Sequence, residues 1–190
     1  MPQAQRHYTL DEYLAVEAMS DVRYEYYDGE ILALPGGSAN HNRITKNLSR
    51  ALDSAADRGC ESYINDLRVK TASELYTYPD VFVVCGPLTY AADRQSVTNP
   101  VVIAEVLSTS TRDYDRGQKF DLYRTIATLR DYLLVDQYGV EVEHRFRDGD
   151  RWESRRYASH NDVIQLTGVD LLLRVDDLYL RVDFSSPATS

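Results

Sequence analysis

The sequence predicts an α/β fold in which helices flank a mixed central sheet, with an antiparallel hairpin toward the C-terminus. Three observations carry that prediction. Two apolar runs, VFVVC (81–85) and VVIAEVL (101–107), have the form of strands buried on both faces. A stripe of Ile44, Leu48, Ala51, Leu52 and Ala55 recurs at helical spacing ahead of them. Later, residues alternating between polar and apolar surround Asp148-Gly149, a hairpin signature.

The elements follow in order. Thr9 and Glu12 form a capping box, and Leu10, Tyr13 and Leu14 then share one face, which predicts a short amphipathic helix over 9–19. In RYEYYDGEILAL (23–34), Asp28-Gly29 lies between two runs rich in Tyr, Ile and Leu, so a hairpin is expected there, with Glu25 on a strand. A long helix is expected over 38–58, capped by Ser38 or Asn40 and ended by Gly59. Three extended segments come next as central strands: CESYIND with LRVKTA, TYPDVFVVCG, and PVVIAEVLS. In GQKFDLYRTIATL, Phe120, Tyr123 and Ile126 or Ala127 predict a second helix, and DYLLVDQ supplies another buried strand. Short strands and a turn near 176–180 close the chain.

At 190 residues and 43% hydrophobic, the chain suits one domain, residues 1–184, with 185–190 a flexible tail. No apolar run approaches the roughly 18 to 20 residues that span a bilayer, and the N-terminus lacks a signal-peptide stretch. A soluble, cytoplasmic protein with no membrane partner is expected. Cys60 and Cys85 lack zinc-type spacing and are expected to be buried free thiols. The histidines are scattered, which argues against a zinc cluster. The net charge of −9 argues against a broad phosphate-binding surface and against tight, stable DNA binding, since non-specific DNA affinity comes mainly from Lys and Arg. It suits a site that must itself be acidic in order to hold divalent cations.

Asp80 and Glu105 are the charged residues of two otherwise apolar strand segments. A carboxylate inside a buried strand is costly unless paired, hydrogen-bonded or bound to a metal. On neighbouring strands the two can converge on Mg²⁺ or Mn²⁺, with the Val106 carbonyl completing the shell. Singly, Asp80 can instead cap a turn after Pro79, and Glu105 can pair with a buried base. Lys119 follows on the next helix, with Asp115 one turn before and Tyr123 one turn after on the same face. One reading is a silent Asp115–Lys119 surface pair. The other returns the ammonium to the strand end, where it steadies a hydroxide or a developing phosphate charge.

The strings YPDVFVV and EVLSTSTRDYDRGQK, with the tyrosine that follows, resemble the PD-(D/E)XK nuclease superfamily, and within it the Uma-two family of restriction-endonuclease-like proteins. The resemblance runs from YTLDEYL through RYEYYDGEI to DYLLVD and the closing strands. It implies a restriction-endonuclease-like fold and a metal-dependent endonuclease acting on nucleic acid, DNA in the first instance, as a homodimer. Asp80 and Glu105 would be metal ligands in a catalytic set with Lys119 and Glu25, the last acting through water. Leu107 stands where the superfamily carries its strand lysine, and Lys119 matches the family's helix lysine. His41 matches a family histidine and would contact phosphate through a helix N-terminus; an ordinary polar surface role is its alternative. Lys70 would contact phosphate or support the site, or be an exposed strand lysine. Tyr24, Tyr26 and Tyr27 would stack on bases or pack the hairpin. Two rival functions remain: a catalytically silent binding or scaffolding module, and a glycosidase-like carboxylate pair.

Overall fold

A computed structural model describes residues 6–34 and 36–185. The flexible tail expected at 185–190 lies outside the described residues except for Ser185. Helix α1 (Leu10–Ala18) begins with the full capping box: Glu12 N donates to Thr9 Oγ1 at 3.2 Å and Thr9 N to Glu12 Oε2 at 2.8 Å. Strands β1 (Tyr24–Tyr27) and β2 (Glu30–Ala33) pair antiparallel around Asp28 (φ 48°) and Gly29 (φ 80°). Two positive φ values in a two-residue loop match the right-handed twist of the strands.

Helix α2 (Ala39–Leu52) is capped by Ser38, whose hydroxyl accepts from His41 N at 3.1 Å. Asn40 does not cap; its side-chain amide donates to the Gln137 and Asp183 carbonyls. The expected single helix over 38–58 tightens after Leu52 into a 3-10 segment, Asp53–Arg58, and ends on Gly59 at φ 72°. Strands β3 (Cys60–Ile64), β4 (Val69–Lys70), β5 (Tyr76–Thr77), β6 (Val81–Cys85) and β7 (Val102–Leu107) follow. After them come helices α3 (Arg112–Arg116) and α4 (Gln118–Tyr123), then strands β8 (Asp131–Asp136), β9 (Val142–Asp148), β10 (Arg151–Tyr157), β11 (Val163–Leu166) and β12 (Leu171–Arg174), and helix α5 (Val175–Leu178).

The central sheet has the order β10-β9-β8-β7-β6-β3 and is mixed: β7 and β8 run parallel and the other neighbours antiparallel. A second sheet, β2-β1-β5-β4, takes up LRVKTA and the start of TYPD, which therefore are not central strands. Pro79 lies between β5 and β6; lacking an N–H, it cannot continue a ladder.

Alternation along β7 separates two cores. Val102, Ala104 and Val106 pack with Ile44, Leu48 and Leu52 of α2. Ile103 and Leu107 pack with Phe120, Leu122 and Tyr123 of α4, which places Glu105 on the α4 face. Each large side chain so buried contributes about 1.5–3 kcal/mol, enough to hold a costly polar group in that layer.

Two further expectations are corrected. The helix expected over 117–129 is shorter, α4 ending at Tyr123, and a separate short helix that was not expected, α3, precedes it; the two are divided at Gly117 (φ −104°, ψ −103°), where an added Cβ would stand 3.1 Å from the Asp113 carbonyl oxygen. The cysteines are not free thiols: Cys60 and Cys85 face each other across β3 and β6 and form a disulfide. Gly86 N donates to the Gly59 carbonyl at 2.8 Å, so the adjacent cysteine pair is a non-hydrogen-bonded one, where side chains approach closely. Among the described residues no helix is long and apolar enough to cross a membrane.

Candidate active site

Four carboxylates and two bases meet where β1, β6, β7 and α3–α4 converge. Lys119 is their hub. Its Nζ lies 2.9 Å from Glu25 Oε1, 3.0 Å from Glu105 Oε1 and 3.5 Å from Asp115 Oδ1. The Asp115–Lys119 pair is thus buried, not a surface pair, and the break at Gly117 does not separate it. Leu107 is buried in the apolar core, so the only lysine in the cluster is the one on α4.

Each acid is held by a second contact. Thr77 donates its hydroxyl to Glu25 Oε1, and the Tyr114 hydroxyl also bonds Glu25. The Tyr123 hydroxyl donates to Glu105 Oε1 at 2.7 Å. Asp80 precedes β6 and accepts from Val106 N at 2.7 Å, while its own N–H donates to Glu105 Oε2 at 3.3 Å. These two bonds fix the acid pair across the two strands. Asp115 is bonded by the Thr111 side chain.

The cluster is layered. Glu25, Glu105, Asp115 and Lys119 are 3–5% exposed, whereas the side chains of Asp80 and His41 keep 16% and 19%. Solvent therefore reaches the site past Asp80 and His41, whose Nε2 is 3.3 Å from Asp80 Oδ2. Lys70 stands apart from this group; its Nζ pairs with Glu74 Oε1 at 2.7 Å. The tyrosines of β1 go largely into packing: Tyr26 stacks on Tyr13 at 5.0 Å, and Tyr27 packs against the α4-side core.

The electrostatics express a surplus of acids. Burial pushes the Glu105 carboxyl up to about 8, reinforced by Asp80 and Asp115 and opposed by Lys119 and Tyr123. Burial likewise raises Asp115. Burial alone would lower Lys119, but Glu105, Glu25 and Asp115 outweigh it and hold the amine cationic, well above its usual range. His41 is also drawn down by burial, and Asp80, Glu105 and Asp115 raise it on balance.

Among the described residues no three His, Cys, Asp or Glu side chains form a ready-made cation cage. The donor set nonetheless fits a hard divalent ion: two linked carboxylates at an opening, with four acids against one lysine and one histidine. Mg²⁺ is commonly held by one or two carboxylates plus water and phosphate oxygens. Sequence reasoning did not reach Thr77 and Tyr114. Their only signal is proximity, three residues before Asp80 and one before Asp115.

The architecture is that of a PD-(D/E)XK-type nuclease fold. It is similar to a solved structure from Anabaena variabilis described as "a putative nuclease belonging to DUF820", with a TM-score of 0.73 and 18% identity, covering 90% of this chain and 97% of that one. The family profile described as "Uma2: Putative restriction endonuclease" matches residues 10–176. Two Synechocystis proteins, both named as uncharacterized, are also similar. The protein sll1609 is 47% identical over 163 residues (84% of this chain, 92% of the relative), and slr1290 is 40% identical over 181 residues (92% of each). The chain belongs to the Uma2 family.

Proposed function

We propose that this protein is a metal-dependent endonuclease that hydrolyses phosphodiester bonds, with DNA as the first substrate to test. The observation that carries the reading is the buried Lys119 ammonium, 3.0 Å from Glu105 and flanked by acids that outnumber it, directly behind the more open Asp80. A structural ion pair needs no such surplus; a site that recruits a divalent cation does.

Asp80 and Glu105 would hold the cation, with the Val106 carbonyl as a third protein donor. Mg²⁺ or Mn²⁺ bound there would polarise the phosphate and acidify an attacking water. Tyr123 and Asp80 N–H keep Glu105 from turning away. Glu25 and Asp115 aim Lys119 and keep it protonated, so that it offsets charge growing on the phosphate. His41, at the mouth, would meet a phosphate oxygen before the buried residues do. Two-strand cleavage of a duplex would suit a homodimer.

Lys119→Met should lower turnover of plasmid DNA by at least about a hundredfold while sparing Mn²⁺ binding, since one preorganised charge of this kind is worth about 10²–10³. Asp80→Ala should lose both. Wild-type rates in either variant would overturn the assignment. A silent module of the same fold would show no turnover in the wild type with any divalent cation.

A further inference from the structure

On the nuclease reading, we propose that Arg112 and Tyr138 bind the nucleic-acid strand beside the reacting phosphodiester, Arg112 holding a backbone phosphate and Tyr138 stacking on the adjoining base. β7 and β8 are the parallel pair of the central sheet, and the crevice outside the carboxyl ends of parallel strands is where α/β sheets take ligands. Their carboxyl ends are Leu107 and Asp136. Arg112 opens the helix that follows the first, and Tyr138 stands two residues beyond the second.

The two are built as a unit. Arg112 Nη2 lies 3.1 Å from Asp136 Oδ2, and Tyr138 N donates to Asp136 Oδ1 at 2.7 Å. Thr109 N donates to the Tyr138 hydroxyl at 3.3 Å, and the guanidinium lies 5.7 Å from the ring centroid. Beneath them Gln137 is buried and locked, donating to the Leu107 carbonyl at 2.8 Å and accepting from Ser38. The platform is therefore rigid where it meets the strand that bears Glu105. α3 links it to the reacting cluster directly, because Asp115 lies on that helix one turn beyond Arg112.

Both side chains are available. Tyr138 is 38% exposed and the Arg112 side chain 34%. Among the described residues Arg112 Nε is buried without a hydrogen-bond partner, as Arg147 Nε also is, so what a ligand would meet is the more exposed remainder of the side chain. Neighbouring arginines are spent differently: Arg116 pairs with Glu141 and Glu143, and Arg145 with Glu143 and the Arg116 carbonyl. A half-exposed planar guanidinium suits phosphate, and a part-exposed aromatic ring suits any base. In a chain of net charge −9, contacts to a polyanion must be few and local, and this pairing meets that condition.

The test is fluorescence anisotropy with a short fluorescein-labelled DNA oligonucleotide, single-stranded and duplex, in EDTA so that binding is read without turnover. Arg112→Ala should weaken binding about tenfold and reduce the salt slope by about one, as loss of one phosphate contact does. Tyr138→Ala should weaken it about tenfold with the slope unchanged, and Tyr138→Phe should stay near wild type. Asp136→Asn, which frees Arg112, should tighten binding; a role confined to the Arg112–Asp136 ion pair predicts no change. Wild-type affinity in both alanine variants, or no binding by the wild type, overturns the proposal. Cleavage by the wild type with unaltered binding in the variants sinks the strand site and leaves the nuclease reading standing. Binding that depends on Arg112 and Tyr138, with no cleavage of the same oligonucleotides by the wild type when Mg²⁺ or Mn²⁺ replaces EDTA, upholds the site and sinks that reading.

Discussion

Two buried charge clusters in this protein invite comparison. Around Arg68, 4% exposed, the acids Glu17 and Asp93 are matched to one guanidinium and saturated by other donors. Arg68 Nε donates to Ser96 Oγ at 2.7 Å, Tyr24 N donates to Glu17 at 2.6 Å, and Gln95 N and Ser96 N donate to Asp93 at 3.0 and 2.9 Å. Burial opposes ionisation of Asp93, yet the bonds from Ser96 and Gln95 and the charge of Arg68 lower its carboxyl below the usual range. Around Lys119 the opposite holds: burial raises Glu105 and Asp115, because four acids share fewer compensating groups. The first cluster fastens α1 to the loops around β4. The second keeps acids short of partners, as a site awaiting a cation would.

Substitution at Arg68 should separate the two clusters most sharply. Arg68→Ala leaves Glu17 and Asp93 buried without their cation and should cost about 3–5 kcal/mol in urea unfolding, the usual result of removing half of a buried ion pair. Glu105→Gln should do the reverse, raising the stability of the metal-free protein by about 0.5–2 kcal/mol while turnover is lost, since functional sites hold groups that stability would discard. A destabilised Glu105→Gln would mean that the acid is structural, like Asp93.

A smaller effect is read by pH. With Glu105 raised to about 8, the folded metal-free protein keeps a proton that the unfolded chain releases near 4.5. The folded state then binds more protons between those values, so this group's contribution makes stability fall as pH rises from about 4.5 to 8. Cation binding must expel that proton, so Mn²⁺ affinity should rise about tenfold per unit up to about pH 8 and then level off. An affinity flat from pH 6 to 8 would show that Glu105 is not displaced from its proton by the metal. Smallest of all, Tyr123→Phe removes one of the three polar contacts of Glu105, leaving Lys119 and Asp80 N–H, and should slow turnover about tenfold, with about 1 kcal/mol lost in stability.

How much was legible in the sequence follows from the range of each signal. Asp80 stands out because it borders an apolar run and Glu105 because it interrupts one, and the strands beside them are buried as the pattern requires. The capping box at Thr9, the Asp28-Gly29 turn and the Asp148-Gly149 hairpin are local, and each is present. What was hidden depends on register and tertiary contact. The Cys60–Cys85 disulfide needs the alignment of β3 on β6, and the shift of LRVKTA into the second sheet needs its partner Tyr76. α3 is only five residues long, too short for hydrophobic spacing to mark it, and nothing in the spacing of GQKFDLYRTIATL stops the next helix at Tyr123. Glu17 reads as one more polar residue on α1, and only the fold brings Arg68 to it.

The central claim, that the acids around Lys119 await a divalent cation, is tested most directly by calorimetric titration of Mn²⁺ into the metal-free protein at pH 8, with Asp80→Ala alongside. Saturable binding is expected in the wild type and none in the folded variant. Equal binding by both, or none by a folded wild type even with a DNA oligonucleotide present, would contradict that claim and return the Lys119 cluster to the same structural standing as Arg68.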